Sequence, residues 1–188
     1  MSNTSTSPLP KTITGGCLCT AVRYRVTFPP NHDFAANQAV CQCTQCRKQS
    51  GSVIMPFFRV PLASVEWLSG DRTTPADVTP ASLKTFSTCE EVQRGFCSNC
   101  GSWTFWRIFN SGHISFSVGS MDPLYLFGEG AGKGEGVDVP AEGFGKIICS
   151  GSGTAEWSAN EIKGVTDDMP LLLRSKRVQQ DSWRQPKL

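Results

Sequence analysis

Residues 41–46 read Cys-Gln-Cys-Thr-Gln-Cys, three thiols within six positions. Two further pairs flank them, Cys17 and Cys19 in GGCLC and Cys97 and Cys100 in FCSNCG. Zinc takes thiolates at about 2.3 Å in a tetrahedron, and a C-x-x-C turn aims two sulfurs at one ion. A following glycine, such as Gly101, permits the tight positive-φ turn, and Gly15 and Gly16 beside Cys17 suit the same purpose. A C-x-C pair chelates from a kinked backbone. Cysteines buried merely as small residues would not pair at ligand spacing three times over. Zinc is therefore the expected cofactor.

Seven ligands divide as four plus three. Four thiolates make a closed, structural site; three leave one coordination position for an incoming group. The most economical division joins Cys17, Cys19, Cys97 and Cys100 across the fold and leaves Cys41, Cys43 and Cys46 as a local tripod. A ribbon joining Cys43 and Cys46 to Cys97 and Cys100 is the rival, which spacing alone does not exclude. It would strand Cys17, Cys19 and Cys41.

The elements that must position these thiols read as short strands. From Ala21, AVRYRVTF alternates, with Val22, Tyr24, Val26 and Phe28 on one face. VIMPFFRV (53–60) is an apolar run bent at Pro56, and SVEWLSG (64–70) runs into a glycine turn. SWTFWRIF (102–109) is aromatic-rich. HISFSVGS (113–120) sets Ile114, Phe116 and Val118 against His113, Ser115 and Ser117. With no long helical periodicity, the chain reads as mainly β. Residues 1–11 are expected as a flexible tail, 12–170 as one zinc-binding domain, and 171–188 as a C-terminal tail whose RSKR is solvated charge. The glycine-rich 128–153 reads as a mobile surface loop.

The 188 residues and 39% hydrophobic content suit one soluble domain. A net charge of +2 gives no electrostatic case for nucleic acid or an anionic membrane. No secretory leader or spanning segment is visible, so a cytoplasmic protein is expected. In a reducing compartment, an odd count of nine cysteines favours metal over disulfides.

GGCLCTAVRY, CQCTQCRKQSGS, RGFCSNCGS and VGSMDPL occur in that order, over roughly residues 13–123. Together they resemble the signature of the glutathione-dependent formaldehyde-activating (GFA) enzyme family, to which centromere protein V also belongs. The resemblance implies a β-tent (Mss-four-like) zinc-bound fold of packed antiparallel sheets. It implies two zinc ions: a structural one on Cys17, Cys19, Cys97 and Cys100, and a labile one on Cys41, Cys43 and Cys46. It also implies a carbon–sulfur lyase acting on a small-molecule thiol and aldehyde, glutathione and formaldehyde in the type reaction. Where the family often carries histidine between the first two cysteines of the middle motif, this chain has Gln42. The family's late histidine has no counterpart after His113. The alternative within the family is a non-catalytic zinc module resembling centromere protein V.

Glutathione carries two carboxylates, so cations and hydroxyls are expected at its site. Arg47, Lys48, Ser50 and Ser52 follow the tripod directly and are the expected substrate contacts. Arg94, ahead of the third cluster, is a further candidate. His32 is expected to face solvent, His113 to sit on the polar side of its strand, and Asp122 to turn with Pro123. Cys89 and Cys149 have no partner at ligand spacing and read as buried or incidental thiols, and Trp103 and Trp106 lie close to the third cluster in sequence.

Overall fold

The structure, a computed structural model, describes residues 8–68, 79–132 and 139–180. A small antiparallel sheet orders β1 (Thr12–Gly16), β2 (Arg23–Thr27) and β5 (Val65–Leu68) as β1-β2-β5. The larger sheet takes β3 (Gln38–Cys41), β4 (Met55–Pro61), β6 (Leu83–Cys89), β7 (Val92–Cys97), β8 (Trp103–Ile108), β9 (His113–Ser117), β10 (Thr154–Glu156) and β11 (Lys176–Arg177). Its order is β11-β10-β3-β4-β9-β8-β7-β6. Neighbours in it run antiparallel, except that β10 pairs parallel with both β3 and β11. The architecture is mainly β, of packed antiparallel sheets, as expected. The helices are short: α1 (Thr44–Ser50), α2 (Pro123–Phe127), α3 (Gly145–Ile148) and α4 (Pro170–Leu173). Among the described residues no helix is long and apolar enough to cross a membrane.

The alternation in β2 has the expected consequence. Val22, Tyr24 and Val26 are fully buried and meet Phe58, Val60, Ile114 and Phe116 of the large sheet. Tyr24 stacks on Phe116 with ring centroids 4.1 Å apart. Full burial of such side chains contributes about 1.5–3 kcal/mol each.

The large sheet is covered on both faces, which the sequence pattern does not show. Ser115 and Ser117, read as the polar face of β9, are both buried. Ser117 donates to the Trp103 carbonyl at 3.3 Å. Directly opposed residues point to one face of a sheet. The register Arg94–Trp106–Ser115–Arg59 across β7, β8, β9 and β4 therefore forms a row on the face away from the main core.

Three expectations are corrected. The described part of 128–153 is more than a surface loop: it holds α3 and sends Phe144 and Ile148 into the main core. Its apolar residues decide its place despite the glycines around them, and Phe144 N–H donates to the Tyr125 carbonyl at 2.7 Å. Residues 171–180 are likewise built into the fold. Leu172 is fully buried, while Arg174, Lys176 and Arg177 are exposed, as expected of solvated charge, with Arg177 paired to Glu161 at 2.5 Å. Gly15 and Gly16 do not take positive φ. They are strand residues whose missing side chains admit neighbours: a Cβ at Gly15 would collide with the Tyr24 hydroxyl and the Ser120 carbonyl. Residues 1–7 of the expected tail, the turn at Gly70 and the end of the C-terminal tail lie outside the described residues; of 8–11, Pro10 is buried.

Asp122 stands before Pro123 at the head of α2, but its larger role is a clasp. Its carboxylate accepts both Arg23 Nη atoms, at 2.6 and 2.5 Å, and the Thr14 hydroxyl. Burial alone would raise its pKa; Arg23 and Thr14 overcome that and hold it below the usual carboxylate range. A depressed folded pKa gives stability that is present above the unfolded value, about 3.9, and lost as pH falls through the lower folded value. Asp122→Asn is expected to cost about 1 kcal/mol at neutral pH and to flatten the acid limb of stability against pH, read from urea melts between pH 7 and 3. An unchanged acid limb contradicts the clasp.

Candidate metal centres and their cavity

β1 runs into a tight turn that carries Cys17 and Cys19. Cys17 N–H donates to Val22 O at 2.9 Å and Thr20 N–H to Cys17 O at 3.1 Å. The positive φ that closes this turn is at Thr20 (65°). Between β7 and β8, Cys97 and Cys100 bracket a second turn, closed by Gly101 (φ 75°), whose N–H donates to Cys97 O at 2.8 Å. The fold places these two turns together. The four sulfurs of Cys17, Cys19, Cys97 and Cys100 all lie within 4.8 Å of one another.

Cys17 and Cys19 sulfurs are 3.5 Å apart, and those of Cys19 and Cys97 3.7 Å. The edge of a tetrahedron with 2.3 Å bonds is about 3.8 Å, so a metal ion fits with little adjustment. Ser102 joins the halves: its hydroxyl oxygen accepts Leu18 N–H at 3.1 Å and lies 3.2 Å from Cys100 Sγ. That hydroxyl, aided by the Ser102 and Cys19 backbone, pulls the Cys100 thiol down to about 5.

The second cluster is local. β3 ends at Cys41, Cys43 caps α1, and Cys46 lies in the first turn of that helix. All three are buried, and their sulfurs also lie within 4.8 Å of one another. Cys46 N–H donates to Cys43 Sγ at 3.3 Å, and Cys43 N–H to Cys41 Sγ at 3.4 Å. Hydrogen bonds from Cys41 and then Cys46 push Cys43 down to about 3. The reciprocal bond to Cys43 pushes Cys41 up to about 12; Cys46 is raised by its bonds to both neighbours and by burial. A divalent cation is the partner that would let all three ionise. Among the described residues no fourth His, Cys, Asp or Glu joins this group.

This cluster opens on a cavity of about 640 Å³, a usual size for a small-molecule site. Its floor is the outer face of the large sheet, where Phe57, Arg59, Arg94, Trp106 and Ser115 line it together with the three cysteines. Phe57 and Trp103 meet edge to face at 5.4 Å and, with Met55, Trp106 and Trp157, pack about the thiols. The two tryptophans near the third cluster in sequence therefore serve the second in space. Trp157, at the cavity wall, holds a left-handed φ of 61°, which is costly for a bulky residue and recurs at functional sites.

Arg47, Lys48, Ser50 and Ser52, the expected substrate contacts, do not line the cavity. Arg47 is committed to the far side of α1, donating to Val53 O and Asn160 O at 2.9 Å each and to Gln42 Oε1 at 3.4 Å. Lys48 is exposed, Ser50 donates to Cys46 O at 2.7 Å, and Ser52 accepts Ile54 N–H. Only the first turn of the helix and its cap, Cys43, Thr44, Gln45 and Cys46, reaches the cavity, and these residues lie beyond it along the helix and the segment that follows.

Gln42 is fully buried behind the tripod, its side-chain oxygen accepting the Thr166 hydroxyl at 2.9 Å. Neither histidine lines the cavity. His113 is exposed, and His32, expected to face solvent, packs between Phe28 and Phe34 with centroids 5.0 and 4.6 Å away. Cys149 packs against the main core. Cys89, read as incidental, lines the cavity with Thr88, Glu156 and Trp157. These were missed because they belong to β6 and to the β10 segment, where no motif marks them.

The family model described as glutathione-dependent formaldehyde-activating enzyme matches residues 12–129. A crystal structure of a Rhodobacter sphaeroides protein is similar at 21% identity over 67% of this chain and 91% of that chain, with a TM-score of 0.42.

Proposed function

Because the chain belongs to the glutathione-dependent formaldehyde-activating enzyme family, we propose that it is a zinc-dependent carbon–sulfur lyase. Its reaction joins a glutathione-like thiol to a small aldehyde such as formaldehyde, or cleaves the adduct. The observation that carries this reading is the asymmetry of the two cysteine groups. One has four sulfurs; the other has three, faces a cavity of about 640 Å³ and has no fourth His, Cys, Asp or Glu beside it among the described residues.

Cys17, Cys19, Cys97 and Cys100 would hold a structural zinc, and Cys41, Cys43 and Cys46 a labile one. At the second site zinc supplies a Lewis acid that favours the thiolate form of an entering thiol. In the addition, sulfur forms a bond to the aldehyde carbon, the C=O π pair moves to oxygen, and the proton lost by the thiol ends on that oxygen. Cleavage reverses each change. The chain's own part is to hold the reactants together against the sheet floor and to limit water with Phe57, Trp106 and Trp157.

Exchange of ¹³C-formaldehyde into glutathione adduct, followed by NMR, tests the proposal against the uncatalysed background. Zinc-replete protein is expected to accelerate exchange. A mild chelator is expected to remove about one equivalent of zinc, abolish the acceleration without unfolding, and be reversed by added zinc. Exchange at the background rate with zinc-replete protein would overturn the reading.

A further inference from the structure

We infer that Arg94 is the anion-recognition residue of the cavity, holding a carboxylate of the thiol substrate beside the cysteine tripod. The inference rests on the proposed reaction and names a residue that recognises its thiol substrate.

Arg94 is 4% exposed yet lines the cavity. Its guanidinium carries a full positive charge and five donors. Nη1 donates to the Thr88 hydroxyl at 2.8 Å and Nη2 to Gln45 Oε1 at 2.5 Å, both neutral acceptors. Nε is buried with no hydrogen-bond partner, and none of the ion pairs among the described residues includes Arg94. A buried charge met only by neutral dipoles is an unfavourable arrangement that an anionic ligand relieves. Glu156 lines the same cavity without pairing to it.

The position is equally specific. Gln45 lies between Cys43 and Cys46, so one hydrogen bond ties the guanidinium to the helix that carries two of the three sulfurs. An anion seated on Arg94 is thereby placed against the tripod, which leaves a thiol on the same molecule within reach of it. Trp106, Arg94's partner across the strands, offers an apolar surface for the intervening part of that molecule. Planar, bidentate recognition is what distinguishes arginine from lysine at such a site.

The probe is S-methylglutathione, whose blocked sulfur removes any contribution from thiolate binding, compared with its diethyl ester by calorimetry on zinc-loaded protein. The wild type is expected to bind the diacid at least tenfold more tightly than the diester. Arg94→Met is expected to erase that preference, and Arg94→Lys, which preserves the buried charge should the first variant fail to fold, to reduce it. Arg107→Met, outside the cavity lining, is expected to leave it in place, and Arg59→Met, the other cavity arginine, to lower it less than Arg94→Met does. Equal binding of diacid and diester, no binding of the diacid, or a preference unchanged in Arg94→Lys and lost in Arg59→Met overturns the assignment. Diacid preference that depends on Arg94, without accelerated formaldehyde exchange, upholds the assignment and contradicts the proposed reaction instead.

Discussion

Cys97→Ser is expected to yield no cooperatively folded protein. Cys97 is fully buried at the end of β7, and its sulfur meets that of Cys19, which follows β1 in the other sheet. With a metal ion bound, the four-sulfur site would fasten the small sheet to the large one, two sheets that share no strand pairing among the described residues. Structural zinc contributes about 10–16 kcal/mol of apparent binding energy, as much as the whole stability of an ordinary domain, about 5–15 kcal/mol. A serine oxygen is a poor replacement for a thiolate on this ion, and it leaves a buried hydroxyl as well. Far-UV circular dichroism with a thermal melt is the check. A melt within a few degrees of the wild type contradicts the structural role.

Cys43→Ser is expected to do the reverse: keep the fold, lose the second zinc and lower catalysed exchange at least about a thousandfold, the scale of a lost reacting centre. The fold survives for a local reason. Cys43 caps α1 by accepting Cys46 N–H, and serine is a preferred residue at that position. The metal does not survive, because only two of the three thiolates remain and a serine hydroxyl is a poor ligand for zinc. The melting temperature should move by only a few degrees while zinc content falls from two equivalents to one. Retention of both ions, or unfolding as severe as that of Cys97→Ser, contradicts the division of labour.

The cysteine groups were legible in the sequence because metal ligation imposes short-range rules: C-x-C and C-x-x-C are spacings that one ion dictates. The strand over 23–27 was legible for a similar reason, since a half-buried strand must alternate. What failed was anything that depends on the second covering of the large sheet. Ser115 and Ser117 alternate with Ile114 and Phe116 just as a solvent face would, but the tripod cluster and the cavity lie over that face. The cavity row Arg94–Trp106–Ser115–Arg59 comes from four strands, and no local spacing relates its members. β6 was invisible because only Leu83 of its residues is buried, which leaves no alternation to read. Arg47 and Lys48 were expected at the site by proximity along the chain. Only the first turn of that helix and its cap reaches the cavity, and the Arg47 donors are taken by Val53 O, Asn160 O and Gln42.

Anomalous diffraction at the zinc edge, on crystals of protein purified with zinc, tests the central claim most directly. Two peaks are predicted: one bound by Cys17, Cys19, Cys97 and Cys100, the other by Cys41, Cys43 and Cys46 with no fourth side chain. A single peak, or a second ion closed by a fourth protein ligand, would contradict it.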